Sequence, residues 1–165
     1  AFMQEALRVA AEGDAAHARE IRERAFESAP ATAGSIDGQP FLWIADADRR
    51  IGPMLEAIMN GRYYWVPYQR IQSIEIEAPA DLRDQVWLPA TLTFANGGAT
   101  VALLPTRYPG SESSADARIR LARMTDWEEV SDGAFVGLGQ RMLATDQAEY
   151  PLMDVRKITL DTAHG

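Results

Sequence analysis

Asn60-Gly61-Arg62-Tyr63-Tyr64-Trp65-Val66-Pro67-Tyr68-Gln69-Arg70-Ile71 is the stretch from which the rest of the chain can be read. Its twelve positions hold four of the nine Tyr and Trp residues. Tyr, Trp and Val suit a pleated, half-buried surface, so Tyr63 to Val66 reads as a short strand. Asn60-Gly61 is a turn signal. Pro67 lacks the N–H that a ladder needs, so pairing stops there or the strand lies at a sheet edge. Aromatic residues this dense anchor a core or an interface, and a core is the commoner outcome.

Toward the N terminus, Ile51, Leu55, Ile58 and Met59 lie on one side of an expected helix over 51–59 that Gly61 stops. Asp46-Ala47-Asp48-Arg49-Arg50 turns into that helix, and Phe41 to Ala45 reads as a short apolar strand. Pro30 to Pro40 has the composition of a linker. Phe2, Met3, Ala6, Leu7 and Ala10 recur at helical spacing, and Asp14 can cap a second helix with the stripe Ala18, Ile21, Ala25 and Phe26. Because the pattern is already helical at Ala1, residues are expected upstream.

Toward the C terminus, Ile74 and Ile76 alternate with Glu75 and Glu77, the period of a strand wet on one face. Asp81 and Asp84 suggest a brief capped turn. Asn96-Gly97-Gly98 between two β-rich runs is the strongest hairpin signal in the chain. Pro105 to Ser111 reads as a surface loop exposing Arg107 and Tyr108. Asp116 to Met124 is expected as a short helix, followed by strands around Trp127, Phe135, Gln140 to Thr145 and Val155 to Leu160, with a turn at Asp146 to Glu149. The expected fold class is α+β: an N-terminal helical hairpin over 1–30, a linker over 31–40, a mainly antiparallel sheet with short helices over 41–160, and a frayed tail over 161–165.

The chain has 165 residues, is 47% hydrophobic and 24% charged, and carries a formal net charge of −8, the profile of an ordinary globular domain. That charge argues against nucleic acid and anionic membrane surfaces as partners, and no apolar run reaches the ~20 residues of a membrane span. No cysteine is present, so disulfides and thiolate metal sites are excluded. The two histidines, His17 and His164, have no second ligand at metal-binding spacing. Gly137-Leu-Gly139-Gln-Arg-Met142 begins like a dinucleotide loop, but Met142 stands where the third glycine belongs. No cofactor or metal is therefore expected. One catalytic alternative is a carboxylate-based or metal-assisted hydrolase built on Asp46, Asp48 and Glu75, which requires the three to converge in one cleft. Another alternative is a structural module for self-association.

The run Asn60 to Pro67, with Trp43-Ile-Ala-Asp-Ala-Asp48 before it, resembles the ImpE/TagJ family of type VI secretion accessory proteins. Further matches are Ala78 to Asp84, Ala95 to Gly98, Pro105-Thr-Arg-Tyr-Pro-Gly-Ser111, Gly137-Leu-Gly-Gln-Arg-Met-Leu143 and Pro151 to Val155. Together they span about residues 41–158 in the family's order, which makes 41–160 an ImpE-like domain. The resemblance covers the family's C-terminal part and implies a non-catalytic cytoplasmic adaptor. Such an adaptor would bind the N-terminal segment of the small sheath subunit and be linked to the AAA+ ATPase that recycles the sheath. Aromatic and Arg residues beside prolines make Tyr63, Tyr64, Trp65, Arg70, Arg107 and Tyr108 the expected partner contacts.

Overall fold

The computed structural model describes residues 15–162. The chain divides into two compact units, Ala1–Pro30 and Ala31–Gly165. In the first, α1 (Ala15–Ser28) ends with the Ser28 hydroxyl donating to the carbonyl oxygens of Arg24 and Ala25. The expected first half of a helical hairpin, residues 2–12, lies outside the described residues, and no hairpin is formed among those described.

The second unit corrects the α+β expectation, because it is built almost wholly of antiparallel strands. Eight of them form one sheet in the order β2-β1-β13-β6-β7-β8-β4-β5. These are β1 (Gly34–Ile36), β2 (Gln39–Phe41), β4 (Met54–Met59), β5 (Arg62–Pro67), β6 (Ile71–Ile76), β7 (Trp87–Phe94), β8 (Ala99–Pro105) and β13 (Lys157–Leu160). A three-stranded sheet runs β12 (Glu149–Pro151), β11 (Met142–Thr145), β3 (Ile44–Asp46), and a two-stranded ribbon pairs β9 (Thr125–Ser131) with β10 (Ala134–Gly139). Among the described residues, the one α-helix of this unit is α2 (Ala117–Arg120), capped by the Asp116 side chain.

Turn chemistry explains much of this order. Asn60 (φ 51°) and Gly61 (φ 74°) are both left-handed, the pair of conformations that closes a two-residue hairpin, so Met59 pairs with Arg62 and β5 folds back on β4. The expected helix over 51–59 is accordingly a strand. Asp37 (φ 46°) and Gly38 (φ 84°) make a second such turn, and the Asp37 carboxylate accepts from the amides of Arg156 and Lys157. The stretch read as a linker thus carries β1 and most of β2. Phe41 to Ala45 is no single strand: it is split between β2 and β3. Asn96-Gly97-Gly98 joins β7 to β8 as expected, with Asn96 Oδ1 accepting from Gly98 N.

One core fills the space between the large sheet and the β3–β11 layer. Leu88, Ala90 and Leu92 of β7, Ala102 and Leu104 of β8, and Ile74 and Ile76 of β6 meet Ile44, Leu143, Leu152 and Val155. Burying an aliphatic side chain stabilises by about 1.5–3 kcal/mol, so alternation along these strands fixes which face turns inward.

Candidate functional site

Two kinds of site emerge, one buried and one exposed. The buried one gathers residues from five separated parts of the chain. Asp48 follows β3, and its carboxylate accepts from the Arg50 guanidinium (2.6 Å) and from Gly137 N (2.8 Å) on β10. Asp46 Oδ1 accepts from Asp48 N (2.8 Å) and from the Tyr108 hydroxyl (2.6 Å). Tyr108 is 1% exposed, and its oxygen in turn accepts from Met142 N (3.0 Å). Ser111 Oγ donates to the Tyr108 carbonyl (2.6 Å) and accepts from Gly139 N (2.8 Å). The loop expected to expose Tyr108 is therefore folded inward.

Arg141 continues the network. Its guanidinium stands 5.4 Å from the Tyr108 ring centre and pairs with the buried Glu56 of β4. Glu56 also accepts from the Tyr63 hydroxyl, which accepts from Trp65 Nε1 (2.7 Å). A continuous polar chain thus runs from the outer strand β5 to Asp46. Three carboxylates, Asp46, Asp48 and Glu56, share this interior with two guanidiniums, Arg50 and Arg141. One negative charge is in excess, and burial pushes Asp46 up to about 7, against the opposing hydrogen bond from Tyr108. Burial also pushes the Tyr68 and Tyr108 hydroxyls up, so both stay protonated. The Tyr68 oxygen is buried, with no hydrogen-bond partner among the described residues.

The carboxylates of the hydrolase alternative do not converge. Glu75 lies exposed on β6 opposite Lys157, whose Nζ stands 3.5 Å from it. Asp46 and Asp48 are buried and satisfied by donors. Among the described residues, no three His, Asp or Glu side chains are grouped to hold a metal ion.

The exposed site is the edge strand β5. Tyr63 is 55% and Tyr64 40% exposed, so this aromatic run is a surface and not the expected core; only Val66 of the strand is buried. A hairpin closed by a two-residue turn hydrogen-bonds its first pair, Met59–Arg62, and every second pair after it. Tyr63 and Trp65 accordingly turn their backbone groups outward, and Pro67 ends the donor row. Cross-strand neighbours share a face, which places Tyr63 beside Ile58, Ile58 beside Leu103, and Leu103 beside Pro89. Arg62 is exposed at the start of β5, and Arg70 is exposed at the end of the 3-10 turn Tyr68–Arg70 that leads to β6; neither is in an ion pair among the described residues.

Of the six expected contacts, Tyr63, Tyr64 and Trp65 thus lie together on β5, and Arg70 lies beyond it in the turn that leads to β6. Tyr108 is buried, and Arg107 is half-buried with its guanidinium donating to the Arg120 carbonyl oxygen (2.7 Å). Glu56, Tyr68 and Arg141 were not singled out by sequence. Arg141 stood within the Gly137 to Leu143 motif, and that was the one available signal. A second exposed feature is an open cleft of about 290 Å³ lined by Ala47, Arg49, Trp127, Phe135 and Glu149.

The segments that meet at Asp46 are the motif segments of the sequence, and residues 38–159 match the family described as ImpE protein. The chain belongs to the ImpE family. It is 49% identical over 157 residues to the type VI secretion system accessory component TagJ of Pseudomonas aeruginosa PAO1, a match covering 95% of this chain and 54% of TagJ. The crystal structure of protein VPA1032 from Vibrio parahaemolyticus superposes with a TM-score of 0.86 at 23% identity, over 96% of this chain and 59% of that one. That likeness shows the same fold. This ImpE chain therefore spans between a half and two thirds of the length of both relatives. Among its described residues, no helix is long and apolar enough to cross a membrane.

Proposed function

We propose that this ImpE chain serves a type VI secretion apparatus as a non-catalytic cytoplasmic adaptor. In this reading it holds the N-terminal segment of the small sheath subunit and is linked to recycling of the sheath by an AAA+ ATPase. The observation that carries the reading is the β5 edge. Rigid aromatic side chains stand exposed there beside outward backbone donors and acceptors, in a protein 49% identical to a secretion accessory component. An exposed edge pairs readily with an added strand, and Tyr and Trp supply large contact area at low entropic cost. The buried polar groups hold Asp46, Asp48 and Arg141 in place.

Calorimetric titration with a synthetic peptide of the sheath subunit's N-terminal segment tests this reading, using both the present chain and full-length TagJ. Binding that weakens roughly tenfold or more in Tyr64→Ala supports it, the cost expected of a central aromatic contact. No heat from either protein at high micromolar peptide would count against sheath recognition.

A further inference from the structure

We propose that the β9–β10 ribbon and the cleft at its base form a second docking surface, whose occupant is a basic polypeptide segment carrying one large apolar side chain. Among the described residues the ribbon's two strands pair only with each other, so β9 offers an edge unpaired there, while β10 is tied to the interior through Gly137 and Asp48. Register puts Trp127 opposite Gly137 and Phe135 opposite Glu129, on one face. Trp127 leans on the buried Tyr108 ring, 5.9 Å between centres, and is thereby held still. Phe135 beside it is 52% exposed and has no such backing. The Tyr108 ring packs against the bare Gly137 backbone between them, and the open cleft beside it is lined by the Trp127 and Phe135 rings. At about 290 Å³ and open to solvent, the cleft suits one side chain of a polypeptide more than a small molecule enclosed on all sides.

Charge decides what kind of polypeptide. Asp126, Glu128, Glu129 and Asp132 all stand on this ribbon and its turn, and none is in an ion pair among the described residues. Asp126 accepts from Trp127 N and Glu129 from Gly133 N, contacts that orient these carboxylates without neutralising them. Glu149 faces the cleft from β12, and Arg49 is the only cation lining it. A segment bearing Lys or Arg is drawn to this field, and one bearing Glu meets like charge. The β5 strand begins at the exposed Arg62 and holds no carboxylate of its own, so its local sign is opposite. The two aromatic surfaces therefore select different segments, as a protein that joins two partners requires.

The test is nuclear magnetic resonance titration of the ¹⁵N-labelled chain with two peptides sharing one apolar pattern, one flanked by Lys and Arg, the other by Glu. The basic peptide is expected to shift amides of Thr125–Ser131 and Ala134–Gly139 and to bind several-fold more weakly as salt is raised. Both Phe135→Ala and the double variant Glu128→Lys/Glu129→Lys are expected to weaken it roughly tenfold or more while leaving the β5 sheath-peptide titration unchanged. Equal response to both peptides, shifts centred on β5, no binding of the basic peptide at high micromolar concentration, or full affinity in both variants would each overturn the proposal. The salt dependence is read on the unmutated chain and stands whether or not a variant folds.

Discussion

Tyr108 donates to Asp46, accepts from Met142 N, carries Arg141 over its ring and touches Trp127 and Gly137 with its edge. Removing its hydroxyl in Tyr108→Phe leaves the Met142 amide without its acceptor, and chemical denaturation is expected to show a loss of about 1–3 kcal/mol. Gly137→Ala should cost at least as much, because a Cβ there would fall 2.4 Å from the Tyr108 ring, and that ring is packed too tightly to yield. Asp46 sets a pH dependence. Its carboxyl is raised in the folded state from 3.8 to about 7, so the folded chain binds the proton more tightly than the unfolded one. Its contribution is fully present below the unfolded value and is lost as pH rises through about 7. Across that interval the slope is about −1.4 kcal/mol per pH unit. In Asp46→Asn, stability measured from pH 5 to about 8 should be flatter; an unchanged slope would assign the dependence to another group. None of this was legible in Pro105 to Ser111, where Pro, Gly and Ser signal a surface loop. The partners that draw Tyr108 inward lie 34 and 62 positions away.

At the scale of elements, local turn chemistry was readable and β4 was not. Asn96-Gly97-Gly98 joins the strands on either side of it, because a hairpin needs only its own residues. In β4 the inward residues Leu55, Ala57 and Met59 follow a period of two, but the outward positions break the polar half of the pattern. Ile58 faces Leu103 and Tyr63 across the ladder, and Glu56 is buried against Arg141. A strand covered by neighbours on both faces loses its alternation, and the apolar spacing that remained imitated a helix. The hairpin turn itself supplies a clean test. Gly61→Ala meets nothing within 4 Å, so only its left-handed backbone (φ 74°) is strained. Thermal unfolding should report a cost of about 1 kcal/mol, with no change in the Asp46-linked pH profile.

For the whole molecule, the motifs announced the family but not the shape they build. Asp46, Asp48, Tyr108, Gly137 and Arg141 stand far apart in sequence and have one interior in common, which no single-sequence pattern encodes. Among the described residues, the core draws its members from residues 36–160. A chain beginning at Ala31 is accordingly expected to unfold in one cooperative transition, and a broad, non-cooperative melt would refute this. The place of β13 has a different consequence. This strand, at Lys157–Leu160, sits between β1 and β6 and, among the described residues, is the one strand that pairs the β1–β2 hairpin to the rest of the large sheet. During translation the ribosome must therefore deliver the chain through Leu160 before β1 and β2 can dock. A premature stop codon even a few triplets before Lys157 would leave the nascent chain with a strand-wide slot open in its largest sheet, a target for chaperones and for proteolytic quality control.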